Sequence, residues 1–194
     1  PQTYPVGLEP RSVAVADLDG DNYPEIITAN KGNGSVTILY NDGKGNFSSS
    51  AEFSVKGAAN SVFVADLDGN QRPDLAVATI ETNAVAVLLN QGKRAFGPPV
   101  LYNIGLGALF PFAVAGADLD EDGDVDLVTA NLVSDNASVL LNDGKGVFRV
   151  QGTYEVGNGP RSLLIADLNG DHHLDVALAN RFDNKVSILL QMKR

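Results

Sequence analysis

A nine-residue acidic loop occurs four times in this chain, and that recurrence constrains the fold more than any other feature. The copies read Asp17-Leu-Asp-Gly-Asp-Asn-Tyr-Pro-Glu25, Asp66-Leu-Asp-Gly-Asn-Gln-Arg-Pro-Asp74, Asp118-Leu-Asp-Glu-Asp-Gly-Asp-Val-Asp126 and Asp167-Leu-Asn-Gly-Asp-His-His-Leu-Asp175. They start 49, 52 and 49 residues apart. Self-similarity at such a period marks a repeat architecture, in which each unit covers its apolar faces only by stacking on its neighbours.

The repeat extends well beyond the loop. An alternating apolar run precedes each copy (Val13–Ala16, Val62–Ala65, Phe112–Ala115, Leu163–Ala166) and another follows it (Ile26–Asn30, Leu75–Thr79, Leu127–Asn131, Val176–Asn180). A third run follows a short polar gap, at Val36–Tyr40, Val85–Leu89, Val139–Leu141 and Val186–Leu190. In three units a Gly-containing turn starts at Asn41, Asn90 or Asn142, and Phe47, Phe96 or Phe148 opens a fourth run. Short runs rich in β-branched residues, bounded by Gly, Asn and Asp, read as strands, with no window long enough for a helix. The Asn-Asp-Gly-Lys-Gly segments fit hairpin turns, where Gly supplies positive φ.

Four antiparallel strands per unit make a propeller blade. The expected fold is therefore all-β, a β-propeller of four four-stranded blades in one domain over residues 1–194. The repeats run approximately 8–56, 57–105, 106–157, and 158–194 plus 1–7. The last repeat stops after its third strand, whereas Gln2-Thr-Tyr-Pro-Val-Gly7 matches Gly152-Thr-Tyr-Glu-Val-Gly157. This match predicts that Thr3–Val6 completes the last blade and closes the ring, sealing two sheet edges. The alternative is an arc of a larger propeller. Leu18, Leu67, Leu119 and Leu168 at loop position 2 are expected to pin each loop to the core.

Each loop places side-chain oxygens at positions 1, 3, 5 and 9: Asp17, Asp19, Asp21 and Glu25; Asp66, Asp68, Asn70 and Asp74; Asp118, Asp120, Asp122 and Asp126; Asp167, Asn169, Asp171 and Asp175. Alternate residues of a tight loop can turn their oxygens toward one hard cation, and calcium suits such a set better than magnesium, which demands stricter octahedral geometry. An EF-hand would need a bidentate Glu at position 12, where this chain has Thr28, Val77, Thr129 and Leu178. A metal-free turn would also use Asp, Asn and Gly. It would not require carboxylates on alternate residues, nor five of them within 118–126, where they repel one another. The expected cofactor is Ca²⁺, up to four ions, one per loop.

Charge agrees with this reading. The net charge is −10, and four Ca²⁺ ions would bring it to about −2. An acidic chain without a basic stripe is a poor nucleic-acid binder, and no apolar run reaches the length of a membrane span. There is no Cys, so the compartment cannot be read from disulfides. The first residues carry neither a signal peptide nor an initiator Met, which suggests a mature product or an excised domain. Low-affinity calcium modules work where calcium is millimolar, which favours an extracellular or cell-surface location.

The pattern Ala-Asp-Leu-Asp-Gly-Asp, followed by Pro-Glu or Leu-Asp and an apolar run ending in Ala-Asn, resembles the FG-GAP repeats of integrin alpha-subunit propellers. It is closer still to the VCBS-type repeats of bacterial secreted and surface proteins. The resemblance covers essentially the whole chain. It implies that Ca²⁺ is held by the side chains at positions 1, 3, 5 and 9 and by the backbone carbonyl of position 7, here Tyr23, Arg72, Asp124 and His173. Asn70 and Asn169 replace Asp and lower the ligand charge of the second and fourth loops. Integrin propellers have seven blades, so ring size does not carry over.

In an up-and-down blade the calcium loops and the strand 3–4 turns share one end, and the strand 2–3 and inter-blade loops share the other. On that second end Arg11, Asn60, Phe110, Arg161 and Phe182 are candidate anchors for a protein or sugar. Ordinary solvated loop is the plainer reading of the same residues. The only two His, His172 and His173, lie inside one loop, and no Ser-His-Asp set can be assembled. The chain is thus expected not to be an enzyme. It reads as an extracellular protein-binding or adhesion module, or alternatively as a lectin-like carbohydrate-binding module accessory to a larger protein.

Overall fold

A computed structural model describes residues 1–191. Its strands follow the period-2 runs of the sequence. The first sheet has β1 (Pro10–Ala16), β2 (Glu25–Asn30), β3 (Ser35–Tyr40) and β4 (Ser49–Ser54), in that spatial order. The second has β5 (Ala59–Ala65), β6 (Asp74–Thr79), β7 (Ala84–Leu88) and, beyond a two-stranded hairpin of β8 (Asn90–Gly92) and β9 (Ala95–Phe96), β10 (Val100–Asn103). The third has β11 (Pro111–Ala117), β12 (Asp126–Asn131), β13 (Asn136–Asn142) and β14 (Phe148–Glu155). The last has three strands, β15 (Pro160–Ala166), β16 (Asp175–Asn180) and β17 (Lys185–Leu189). All pairings are antiparallel and, except for β7 with β10 across the β8–β9 hairpin, between chain neighbours, so each sheet is an up-and-down blade.

The blades stack through their inner strands, β1 on β5, β5 on β11 and β11 on β15. Because side chains alternate, each blade presents two apolar faces. Ile27, Ala29 and Ile38 of the first blade meet Val62, Leu75 and Val77 of the second, all buried. Ala76, Val85 and Val87 then meet Val114, Leu127 and Leu140, and Val128, Ala130 and Val139 meet Val176 and Leu178. Leu18, Leu67 and Leu119 at loop position 2 are buried in these cores as expected, whereas Leu168 is 46% exposed, because no later blade lies beside it.

Every inner strand carries a bulge at the same place. The register passes from Pro10↔Asn30 to Ser12↔Ala29, from Ala59↔Thr79 to Ser61↔Ala78, from Pro111↔Asn131 to Ala113↔Ala130, and from Pro160↔Asn180 to Ser162↔Ala179. Arg11, Asn60, Phe112 and Arg161 are the extra residues, and a bulge redirects the side chain it carries. The third equivalent position is thus Phe112, not Phe110. Phe110 lies in the preceding loop at φ 65°, and its N–H donates to Asn83 Oδ1.

A buried polar ladder closes the end of blades one and three. Asn30 accepts from Thr28 and donates to Ser35 and Thr37, and Asn131 makes the matching set with Thr129, Asn136 and Ser138. In the last blade Leu178 stands where those Thr stand, and Asn180 Oδ1 is buried without a partner.

The expected ring closure is not what the structure shows. Among the described residues, 1–7 form no strand and the last sheet has no fourth one. Instead the segment lies on the first blade: Tyr4 packs edge-on against Phe47 at 5.5 Å, Gly7 N–H donates to Thr37 Oγ1, and Leu8 N–H donates to Asn33 Oδ1. The physical reason is that, among the described residues, no blade edge lies beside the segment to pair with it, although it keeps the phase of the repeat. Gly157 and Asn158 make the same bonds forward, to Ser187 Oγ and Asp183 Oδ2. Residues 7–8 are therefore a linker into the blade that follows them. Val13 and Val15 on β1 stay 65% and 61% exposed, as do Leu164 at 63% and Val186 at 64% on the last blade. The first and last blades thus leave these faces uncovered, and the described residues do not close a ring.

Candidate metal centres and the opposite mouth

The four acidic loops share one backbone. Positions 4 and 6 are left-handed in every copy: Gly20 and Asn22, Gly69 and Gln71, Glu121 and Gly123, Gly170 and His172. Gly takes position 4 in three loops and position 6 in the third, where Glu121 adopts φ 64°. Both oxygens of the position 1 Asp accept loop amides, Asp17 from Gly20 and Asn22, Asp118 from Asp122 and Gly123. Position 5 accepts from the amide two residues on, at Asp21, Asn70, Asp122 and Asp171. These local bonds are the ones by which Asp and Asn side chains organise turns.

The carboxylates converge. One oxygen from each of Asp17, Asp19 and Glu25 lies within 4.8 Å of the others, and the same holds for Asp66, Asp68 and Asp74 and for Asp118, Asp120 and Asp122. Burial pushes Asp74 up to about 6, with Asp68 and Asp66 adding repulsion. Burial also raises Glu25, Asp126 and Asp120, the last helped by Asp122. In the fourth loop, hydrogen bonds from the Gly170 and His173 amides hold Asp167 and Asp171 low.

Position 9 has a second role that spacing alone did not reveal. Its carboxylate is wholly buried in all four loops. One oxygen accepts the N–H of loop position 2 (Leu18, Leu67, Leu119, Leu168) and the other that of Asn41, Asn90, Asn142 or Gln191, at or just past the end of the third strand. Glu25, Asp74, Asp126 and Asp175 thus tie the loop to the far side of their own blade.

Position 7 side chains lie over the strand 3–4 turn. A Cβ at Gly43 would meet the Tyr23 ring at 2.8 Å, and Gly92 and Gly144 face Arg72 and Asp124 in the same way. His173 leans sideways, with Nδ1 2.5 Å from Glu121 Oε1 of the third loop.

Two links between blades escaped the sequence reading. Asn90, Asn142 and Gln191 each donate a side-chain N–H to the position 2 carbonyl of the preceding blade's loop, at Leu18, Leu67 and Leu119. Arg94 replaces the Gly found at Gly45 and Gly146, stacks 4.3 Å from the Tyr40 ring centre, and pairs with Asp19 at 2.7 Å. That broken Gly pattern was the available signal.

At the opposite end, strand 2–3 loops bond inter-blade linkers, as in Lys31 N–H to Glu9 O and Arg181 N–H to Gly159 O. Arg161 lies 4.4 Å from the Phe112 ring centre, and Asn60 Nδ2 donates to Phe112 O at 2.6 Å. Burial, then the charges of Arg181 and Arg11, lower the Arg161 pKa. Arg11 pairs with Glu9, and Phe182 is 62% exposed beside Arg181. All five candidate anchors, Arg11, Asn60, Phe110, Arg161 and Phe182, thus lie at this end, Phe110 in the inter-blade loop whose carbonyl accepts the Leu132 amide, and Phe112 joins them. No helix among the described residues is long and apolar enough to cross a membrane.

No curated protein matches the chain. In fold it is similar to BBS1N, solved in complex with ARL6DN, at 16% identity and TM-score 0.61, covering 96% of this chain and 59% of that one. It is also similar to the V. cholerae biofilm matrix protein Bap1 (18% identity, TM-score 0.59, 92% of this chain and 26% of that one). A protein of unknown function from Bacteroides caccae matches with 17% identity and TM-score 0.55, over 92% of this chain and 58% of that one. The chain thus spans less than two thirds of each of these neighbours. The FG-GAP-like repeat pattern matches residues 17–77, 66–129 and 118–178, three overlapping repeat pairs that include all four acidic loops. The chain belongs to the FG-GAP-like repeat family.

Proposed function

We propose that this chain is a calcium-binding propeller module that recognises a protein partner outside the cell and acts by binding rather than catalysis. The convergence of carboxylate oxygens in three loops supports it most. The donors are all hard oxygens, which suit Ca²⁺, and two of the three sets include a wholly buried carboxylate, costly without a cation. Asp17, Asp19, Asp21 and Glu25, with their counterparts in the other loops, would hold the ion through side chains. The carbonyls of Tyr23, Arg72, Asp124 and His173 would complete the sets.

Loop 118–126 has the most carboxylates and should bind tightest, so Asp120→Ala is expected to lower the melting temperature in calcium more than Asp68→Ala. Equal shifts would count against ligand charge as the controlling variable. Arg94 competes for Asp19, so Arg94→Ala is expected to tighten calcium binding at the first loop several-fold in a calcium titration. It should also make the protein more sensitive to chelator, because the Asp19 cluster then has no internal cation. Unchanged affinity and sensitivity would show that Arg94 and calcium do not share that carboxylate.

The partner surface is the mouth opposite the loops, where Arg11, Asn60, Phe112, Arg161 and Phe182 combine cations, an amide and aromatic rings, the types enriched at binding hot spots. BBS1N was solved with a protein partner and Bap1 is a biofilm matrix protein, which fits a recognition or adhesion role. The test is retention of a partner from the parent organism's surface proteins on immobilised chain, with Arg161→Ala and Phe182→Ala variants and a glycan array in parallel. Retention lost in the variants supports the proposal. Saturable glycan binding abolished by free sugar would replace it with the lectin-like alternative.

A further inference from the structure

The two ends of the blade stack are complementary to each other. The outer face of the last blade presents Leu164, Val186, Ile188 and Leu190, all exposed. By register these positions correspond to Ala14, Val36, Ile38 and Tyr40 of the first blade, which pack against the second. The outer face of the first blade presents Val13 and Val15, the counterparts of Val62 and Val64, which receive that packing. One end thus has the donor face of an interface used three times within the chain, and the other end has the acceptor face.

The polar links are also left half-made. Among the described residues Asn41 Nδ2 bonds only Pro24 O of its own blade, whereas Asn90, Asn142 and Gln191 reach the preceding loop. The matching acceptor, Leu168 O, belongs to the last loop, whose outer side is exposed. Ser12 and Ser61 accept amide bonds from Val62 and Val114 of the next blade, and Ser162 holds that position in the last blade.

The N-terminal segment fits the edge of β17. On β14, Thr153 and Tyr154 pair with Ser138 and Ala137, and the same register would set Thr3 and Tyr4 against Ser187 and Val186. Val156 N–H bonds Asp135 O, so by antiparallel alternation the Glu155 N–H points away from β13. Pro5 is the counterpart of Glu155, so its missing N–H would fall on the outward side, where an edge strand tolerates proline. Gly7 and Leu8 already make the forward bonds that Gly157 and Asn158 make.

From this continuity we propose that two copies of this chain associate head to tail, residues 2–6 of each pairing with β17 of the other, to close a ring of eight blades. Eight lies within the range of known propellers. A heterologous contact of this kind closes only if its rotation completes a circle, and otherwise makes filaments. The contact is independent of calcium affinity and of the mouth residues.

The test is sedimentation equilibrium of the 194-residue chain with two surface variants, Val13→Lys and Ile188→Glu. Both side chains are exposed in the single chain, so folding, checked by circular dichroism, should persist. The expected result is twice the 20.4 kDa chain mass for the parent and monomer for each variant alone. Mixing the two variants should restore a dimer, because one of its two interfaces is then free of substitutions. A monomeric parent would overturn the proposal, as would a dimer indifferent to both substitutions, open-ended polymers, or variants that fail to complement.

Discussion

Removing calcium with excess chelator is expected to lower the melting temperature by on the order of 20 °C. An ion that binds only the folded state stabilises it by about 2.7 kcal/mol per site at a hundred-fold excess over Kd. For a chain of this size each kcal/mol shifts the midpoint by about 2–4 °C. Three convergent carboxylate sets therefore suffice for a shift of this order. Chelation also leaves clustered acids facing one another, three of them partly shielded only by hydrogen bonds from the backbone, Glu25, Asp74 and Asp126. Magnesium should restore the midpoint poorly, since it needs stricter geometry and keeps its waters. A melting curve unchanged by chelator would count against the calcium reading.

The second large effect is expected from Asp126→Ala. Asp126 is fully buried, and its oxygens accept the Leu119 and Asn142 amides at 3.0 and 2.8 Å. Truncation leaves two buried N–H groups unpaired, each costing about 1–3 kcal/mol. The expected loss is about 3–5 kcal/mol in chemical denaturation, and because the amides belong to the protein, most of it should remain in chelator. Asp120→Ala removes a more exposed group and should cost far less once calcium is absent. If Asp126→Ala were damaging only in calcium, position 9 would be a ligand and not a tie between the loop and the third strand.

The blades were legible in the sequence because strand alternation, turn glycines and a constant period all reported the same unit. The convergence of carboxylates in the first three loops was legible for the same reason, being encoded in spacing within nine residues; the fourth, with Asn169 at position 3, brings no three acids together among the described residues. Contacts made across blades were not. Arg94 reaches Asp19 over 75 residues of chain, and Asn90 reaches Leu18 over 72. Only the departure of Arg94 from the Gly pattern hinted at the first. The bulges that set Phe112 beside Arg161 depend on register, which no short-range pattern marks. Closure was misread because Gln2–Gly7 matches Gly152–Gly157 in sequence, while the destination of such a strand depends on which blade edge lies beside it.

Native mass spectrometry of the metal-stripped protein, titrated with calcium, decides whether the repeated loops are calcium sites. The expected result is discrete binding of up to one ion per loop, with the first ion lost in the Asp120→Ala variant and magnesium unable to displace it at equal concentration. Absence of discrete calcium adducts at millimolar calcium, or an unchanged series in Asp120→Ala, would contradict calcium binding by these loops.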